Sequence, residues 1–146
     1  MESELGTQRK MKIMDRYYEW GYRTYVMGIV NVTPDSFSGD GLMGRKAEAV
    51  EKSISFFEHG ADFIDVGGES TRPDHTEITE AEEIERVVNI IEAIAGNVKI
   101  PVSIDTHKPR VARLSVEAGA SMINNVWGIN NDLSMLELSL QTETPI

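Results

Sequence analysis

Four short apolar runs in this chain each end on polar residues, and each is followed by a loop and a stretch of helical spacing; that repeat restricts the fold more than any other feature. The first run, Val26 to Asn31, is apolar and rich in β-branched residues, as suits a strand buried on both faces of a parallel sheet. It opens into a polar loop that ends at Gly41. Pro34, Asp35, Ser36, Ser38, Gly39 and Gly41 are turn-formers, so helical spacing is expected only after Leu42. An irregular loop of about ten residues carrying an amide, hydroxyls, two carboxylates and one ring is expected to bind rather than merely connect.

The other units follow the same plan. From Arg45 to Glu58, Ala47, Val50, Ile54 and Phe57 share one helical face, and Gly60 is the stop. F-I-D-V (63–66) is the second strand, and G-G-E-S-T-R-P-D-H-T-E-I is its loop. Thr79 and Glu82 form a T-x-x-E capping box ahead of Ile84, Val87, Val88, Ile91 and Ile94, with Gly96 closing the helix. The third strand, P-V-S-I-D (101–105), leads through T-H-K to Pro109, placed for the first turn of a helix with Val111, Leu114 and Ala118 that stops at Gly119. S-M-I-N-N-V is the fourth strand. The fourth helix is expected over Asp132 to Leu140 with Leu133, Leu136 and Leu140 inward, and Q-T-E-T-P-I stands where a fifth strand would begin. Ahead of these units, Met1 to Lys10 is polar and expected to fray. Tyr17 to Tyr25, with Gly21 at its centre, reads as a small hairpin or extended arm that plugs one end of the core.

Strands joined through helical crossovers run parallel, which leaves an open doubly wound sheet or part of a (β/α)8 barrel. The polar residues decide between them. They fall directly after every strand: Asn31, then Glu69 to Arg72, then Asp105 and Lys108, then Asn124 and Asn125. In a barrel all four positions converge on one mouth, whereas an open sheet gathers only those beside its switch point. A complete barrel takes about 250 residues. The expected fold is therefore α/β, a TIM-type half-barrel of four βα units, with residues 1–25 as an N-terminal arm and 26–146 as the half-barrel.

Composition narrows the function. With 14 basic and 24 acidic residues the formal net charge is −10, which disfavours nucleic acid and anionic membrane as partners. The absence of cysteine excludes disulfides and thiolate metal sites, and the N-terminus has no apolar signal-peptide core, so a cytoplasmic protein is expected. No apolar run approaches the ~20 residues of a membrane span. His59, His75 and His107 lack metal-ligand spacing.

V-M-G-I-V-N-V-T-P-D-S-F-S-G-D-G, I-D-V-G-G-E-S-T-R-P, S-I-D-T-H-K-P and I-N-N-V resemble the successive motifs of dihydropteroate synthase, in the family's order and spacing, from about Glu19 to Ile146. The resemblance implies a pterin-binding TIM barrel of the folate pathway. Such enzymes join 6-hydroxymethyl-dihydropterin diphosphate to 4-aminobenzoate and release pyrophosphate with Mg²⁺ bound.

It assigns Asn31 to the metal and pyrophosphate; read alone, the amide could equally close its own turn. Pro34 and Phe37 become a lid over the aminobenzoate ring, or else loop residues tucked into the core. Ser70, Thr71, Arg72 and Pro73 complete the aminobenzoate site. The Arg72 fork would hold an anion, with an ion pair to Asp35 or Asp40 as the structural alternative. Gly67 and Gly68 would admit a ligand close to the backbone, and Glu69 is structural. Asp105, costly to bury unpaired, and Asn124 fall to the pterin pocket, where a carboxylate would also stabilise positive charge at the pterin methylene. Lys108 and His107 are weaker candidates.

Three positions depart from the family pattern: S-F-S-G-D-G moves a loop carboxylate to Asp40, Asp74 follows R-P, and Asn125 follows Asn124. The family's further pterin-binding aspartate, its lysine and its basic diphosphate motif lie on later strands absent here. The isolated chain is accordingly expected to be inactive and to self-associate, although the full-length family is homodimeric. The alternatives are the pterin-binding domain of a corrinoid-dependent methyltransferase, against which the T-P-D-S-F lid argues, and a non-catalytic half-barrel binding protein.

Overall fold

The computed structural model describes residues 10–33, 41–69, 77–128 and 133–146. A two-stranded antiparallel hairpin, β1 (Lys10–Ile13) and β2 (Arg16–Glu19), precedes a four-stranded parallel sheet. The sheet strands are β3 (Met27–Asn31), β4 (Phe63–Gly67), β5 (Val102–Asp105) and β6 (Met122–Asn124), hydrogen-bonded in chain order. Helices α1 (Gly41–Glu58), α2 (Glu80–Asn97) and α3 (Pro109–Glu117) make the crossovers, and α4 (Ser134–Thr142) follows β6. This is the four-unit arrangement expected from the repeat.

The pleat divides the strand residues between two faces. Val30, Ile64, Val66, Val102, Ile104 and Ile123 point toward the helices and join one core with Val87, Ile91, Ile94 and Val111. The other face carries Met27, Ile29, Asn31, Phe63, Asp65, Gly67, Ser103, Asp105, Met122 and Asn124. At the N-terminal end of that face the hairpin packs its own small core, with Ile13 and Tyr18 against Phe63 and Met122. Tyr18 and Phe63 have ring centroids 4.8 Å apart. Arg23 then ties the incoming chain down: it forms a forked pair with Asp62, whose Oδ2 also accepts from the Val26 amide at 2.9 Å.

Several sequence expectations shift by a residue or a face. The hairpin turn falls at Met14, φ 55°, rather than at Gly21, which serves the next turn with φ 86°. In α1, Ala49 and Ser53 are buried and Phe56 packs on the core, while Phe57 is exposed. Gly28 explains the choice of ring: a Cβ there would stand 2.4 Å from Phe56 Cδ2, so the missing side chain makes the groove that Phe56 fills. In α4 the inward residues are Met135 and Leu138, and Leu133, Leu136 and Leu140 face outward. Helix α1 starts at Gly41, earlier than expected, and β6 stops at Asn124 because Asn125 closes a turn with Trp127 N and Gly128 O. Beyond α4, the Pro145 carbonyl accepts from the Ile123 amide at 2.9 Å, so the chain there runs alongside β6, where the fifth strand was expected.

Candidate functional site

Parallel pairing sets the C-terminal strand residues on one rung: Asn31 opposite Gly67, Gly67 opposite Asp105, and Asp105 opposite Asn124. Three residues singled out from sequence thus meet on the face away from the helices. Gly67 contributes no side chain to that rung. The position its Cβ would take lies 3.7 Å from Asp105 Oδ2 and 4.0 Å from Asn31 Oδ1, so the space between the two side chains opens onto backbone. Gly68 has a different task. A Cβ on it would come within 2.6 Å of Val87 Cγ1, so its glycine permits α2 to pack close rather than a ligand to approach.

One step below this rung lies Asp65, 4% exposed, directly opposite Ser103, which is fully buried. Asn124 Nδ2 donates to Asp65 Oδ2 at 3.3 Å. Burial raises the Asp65 pKa, and Ser103 and Asn124 offset part of that. The Ser103 hydroxyl nevertheless stays outside hydrogen-bond geometry with the carboxylate: Asp65 Oδ1 and Ser103 Oγ are both buried without a hydrogen-bond partner among the described residues. Asp105 is half-buried, and its pKa rises to about 6, through burial first and then the negative charges of Asp65 and Glu83.

The rim is braced by a buried ion cluster. Lys108, which precedes α3, donates through Nζ to Glu69 Oε2, to Glu83 Oε2 at 2.6 Å and to the Ile78 carbonyl at 3.0 Å. Burial by itself would lower the lysine pKa, but the two carboxylates outweigh it and the net direction is upward. Glu69 is structural, as the sequence suggested, and so is Lys108. Sequence reasoning missed Asp65, Glu83 and Ser103. A signal existed for two of them: Asp65 interrupts an apolar run, and Glu83 lies four residues before Val87 on the buried stripe of α2.

The remaining predicted site residues, Pro34, Phe37, Ser70, Thr71, Arg72 and Pro73, lie outside the described residues, as do Asp35, Asp40 and Asp74. Among the described residues no three His, Cys, Asp or Glu side chains group to hold a metal, and no helix is long and apolar enough to cross a membrane. An exposed amide such as Asn31 at a strand end still suits a hard cation that takes few protein oxygens and keeps its waters.

The profile of the pterin binding enzyme family matches residues 27–146, the whole of the parallel sheet with its four helices. The chain belongs to the pterin-binding enzyme family. Among similar proteins of this family, the dihydropteroate synthase of Clostridium beijerinckii is 48% identical over 135 residues, covering 92% of this chain and 50% of the relative. That of Synechocystis is 42% identical over 129 residues, covering 88% and 45%. The solved dihydropteroate synthase of Xanthomonas albilineans, with 4-aminobenzoic acid, superposes with a TM-score of 0.84 at 40% identity, over 94% of this chain and 50% of that one. The chain therefore spans about half the length of the relatives it matches, and its fold is a partial (β/α)8 barrel.

Proposed function

We propose that this chain is the N-terminal half of a dihydropteroate synthase, with residues 1–25 as an arm and 26–146 as the half-barrel. It contributes part of the site that condenses 6-hydroxymethyl-7,8-dihydropterin diphosphate with 4-aminobenzoate to give 7,8-dihydropteroate and pyrophosphate. The observation that supports this most is the rung carrying Asn31, Asp105 and Asn124 at the C-terminal strand ends, where barrel enzymes keep their sites.

In this reading Asp105 accepts N–H groups from the pterin edge, and its carboxylate steadies positive charge at the methylene as the diphosphate oxygen leaves and the aminobenzoate nitrogen bonds. Asn124 holds the same ring. Pro34, Phe37, Ser70, Thr71, Arg72 and Pro73 enclose the aminobenzoate, with the Arg72 fork on an anion. Mg²⁺, when bound, would neutralise diphosphate charge, and Asn31 would be a protein residue that holds it. The proposed setting is cytoplasmic, and the complete enzyme is a homodimer.

Lys108, on the rim, is already held by Glu69 and Glu83, and Arg86 donates to the Gly68 carbonyl. Cations for the diphosphate must then come from outside the described residues. The chain spans about half the length of its relatives, which supports pterin binding without turnover by the chain alone, and this is also what a non-catalytic half-barrel would do.

The test compares the purified 146-residue chain with protein expressed from the full genomic locus. A longer product that makes dihydropteroate, and loses the activity in Asn31→Ala and Asp105→Ala, is the expected result. Turnover by the short chain would refute the half-barrel reading, and full activity in both variants would refute the site assignment.

A further inference from the structure

Asp65 occupies a place where a parallel strand normally carries an aliphatic residue. It sits mid-strand in β4, between Ile29 and Ser103 on the neighbouring strands, and is 4% exposed. Burying a carboxylate there costs stability unless it is partnered. Lys108 braces Glu69 and Glu83 nearby, but no described cation reaches Asp65. The hydrogen bond it receives is from Asn124 Nδ2, leaving Oδ1 without a partner among the described residues. A residue kept at that cost needs a task, and the geometry supplies one.

We propose that Asp65 is a positioning residue that fixes which end of the Asn124 amide faces the mouth of the half-barrel. An ionised carboxylate only accepts hydrogen bonds, so it selects the NH₂ end of the amide and turns Asn124 Oδ1 outward. An apolar residue at position 65 would leave the amide free to flip and offer either end. Asn124 and Asp105 are partners on one rung, so in this proposal the freed Oδ1 and the Asp105 carboxylate present two adjacent acceptors to the open side. Such a pair recognises a flat ring edge with two neighbouring N–H donors and rejects one whose acceptors come first. The Ser103 hydroxyl, on the same rung as Asp65 and likewise without a hydrogen-bond partner among the described residues, adds a second polar group to the floor.

This inference rests on the reading that Asn124 contacts the pterin, and the test separates the two. Asp65→Asn keeps size and shape but can both donate and accept, so it removes the selection while preserving packing. A purely structural role would be rescued by it. The probe is 6-hydroxymethylpterin, titrated into the isotopically labelled 146-residue chain and followed by NMR, which registers weak binding.

The affinity of Asp65→Asn is expected to fall about tenfold, the scale of one misplaced hydrogen bond, with no further loss when Asn124→Ala is added. In the ligand-free wild type, one Asn124 Nδ2 proton should be shifted and slow to exchange. Should Asp65→Asn not fold, that wild-type resonance decides: two equivalent, fast-exchanging protons overturn the proposal. An unchanged affinity in Asp65→Asn beside a weakened Asn124→Ala overturns the positioning role and leaves the site reading intact. An unchanged affinity in Asn124→Ala overturns the site reading, and the proposal falls with it.

Discussion

Lys108 Nζ lies 2.6 Å from Glu83 Oε2, and this contact links the start of α3 to a glutamate only 1% exposed in the first turn of α2, on its packed face. The same ammonium reaches Glu69, two residues past the end of β4, so one cation ties the third βα unit to the second. Replacing Lys108 by Met would take the cation from Glu69 and from the buried Glu83, whose Oε1 already has no hydrogen-bond partner among the described residues. The expected loss in denaturant unfolding at pH 7 is about 3–5 kcal/mol. Adding Glu83→Gln to that variant should recover part of it. A loss below about 1 kcal/mol would mean that the cluster is hydrated and contributes little.

Asp105 gives the fold a pH signature. Its pKa in the folded chain is raised to about 6, by burial and then by Asp65 and Glu83, above the ordinary carboxylate value of about 3.9. A group raised on folding contributes stability that is complete below its unfolded pKa and is lost as pH climbs through the folded one. Asp65 is shifted in the same direction. Wild type should therefore lose stability between about pH 4 and pH 7 from Asp105, with Asp65 acting in the same direction, while Asp62, lowered by Arg23, acts with the opposite sign at more acid pH. Asp105→Asn should melt above wild type at pH 7.5 and converge with it near pH 4, while losing pterin binding. Parallel melting curves across that range would show that Asp105 is not perturbed.

The two glycines of the sheet make opposite predictions. A Cβ on Gly28 would meet three Phe56 side-chain carbons at 3.0 Å or less, whereas the nearest atom to one on Gly67 is 3.6 Å away, an ordinary contact. Gly28→Ala should therefore cost about 1–3 kcal/mol by overpacking, and Phe56→Leu in the same chain should return some of it. Gly67→Ala should leave the melting temperature nearly unchanged while narrowing the space between Asn31 and Asp105. Equal effects at the two positions would contradict the described packing.

The sequence exposed the fold because its signals were local and repeated. Each strand was an apolar run ended by a polar residue, and Thr79 and Glu82 form the reciprocal cap expected of them. What stayed hidden depended on partners distant in the chain. Phe56 and Phe57 are equally apolar neighbours, and the groove at Gly28 determines which packs on the core. In α4 the leucines at 133, 136 and 140 have helical spacing, yet Met135 and Leu138 face the core. A spacing rule finds a stripe without telling which side the rest of the protein occupies. For the site, Asn31, Asp105 and Asn124 were legible as polar strand ends. The Lys108 cluster was not, since its members lie 39 and 25 positions apart.

The uncovered strand and helix faces carry the last prediction. β3 is an edge of the parallel sheet, and Met27 and Ile29 on its inner face are 37% and 52% exposed. At the other end, Val126, Trp127, Leu133 and Leu140 are more exposed still. An exposed edge strand with apolar neighbours is a template for pairing with another chain, and so large an apolar surface is unusual on a monomer. The purified 146-residue chain should therefore sediment as dimers or larger species at micromolar concentration. Ile29→Lys places a charge on the edge strand and should shift the distribution toward monomer without lowering the melting temperature, because that side chain has little core contact to lose. A clean monomer in wild type would mean that these faces are tolerated in water, and dissociation by Leu140→Lys rather than by Ile29→Lys would move the contact from the sheet edge to α4.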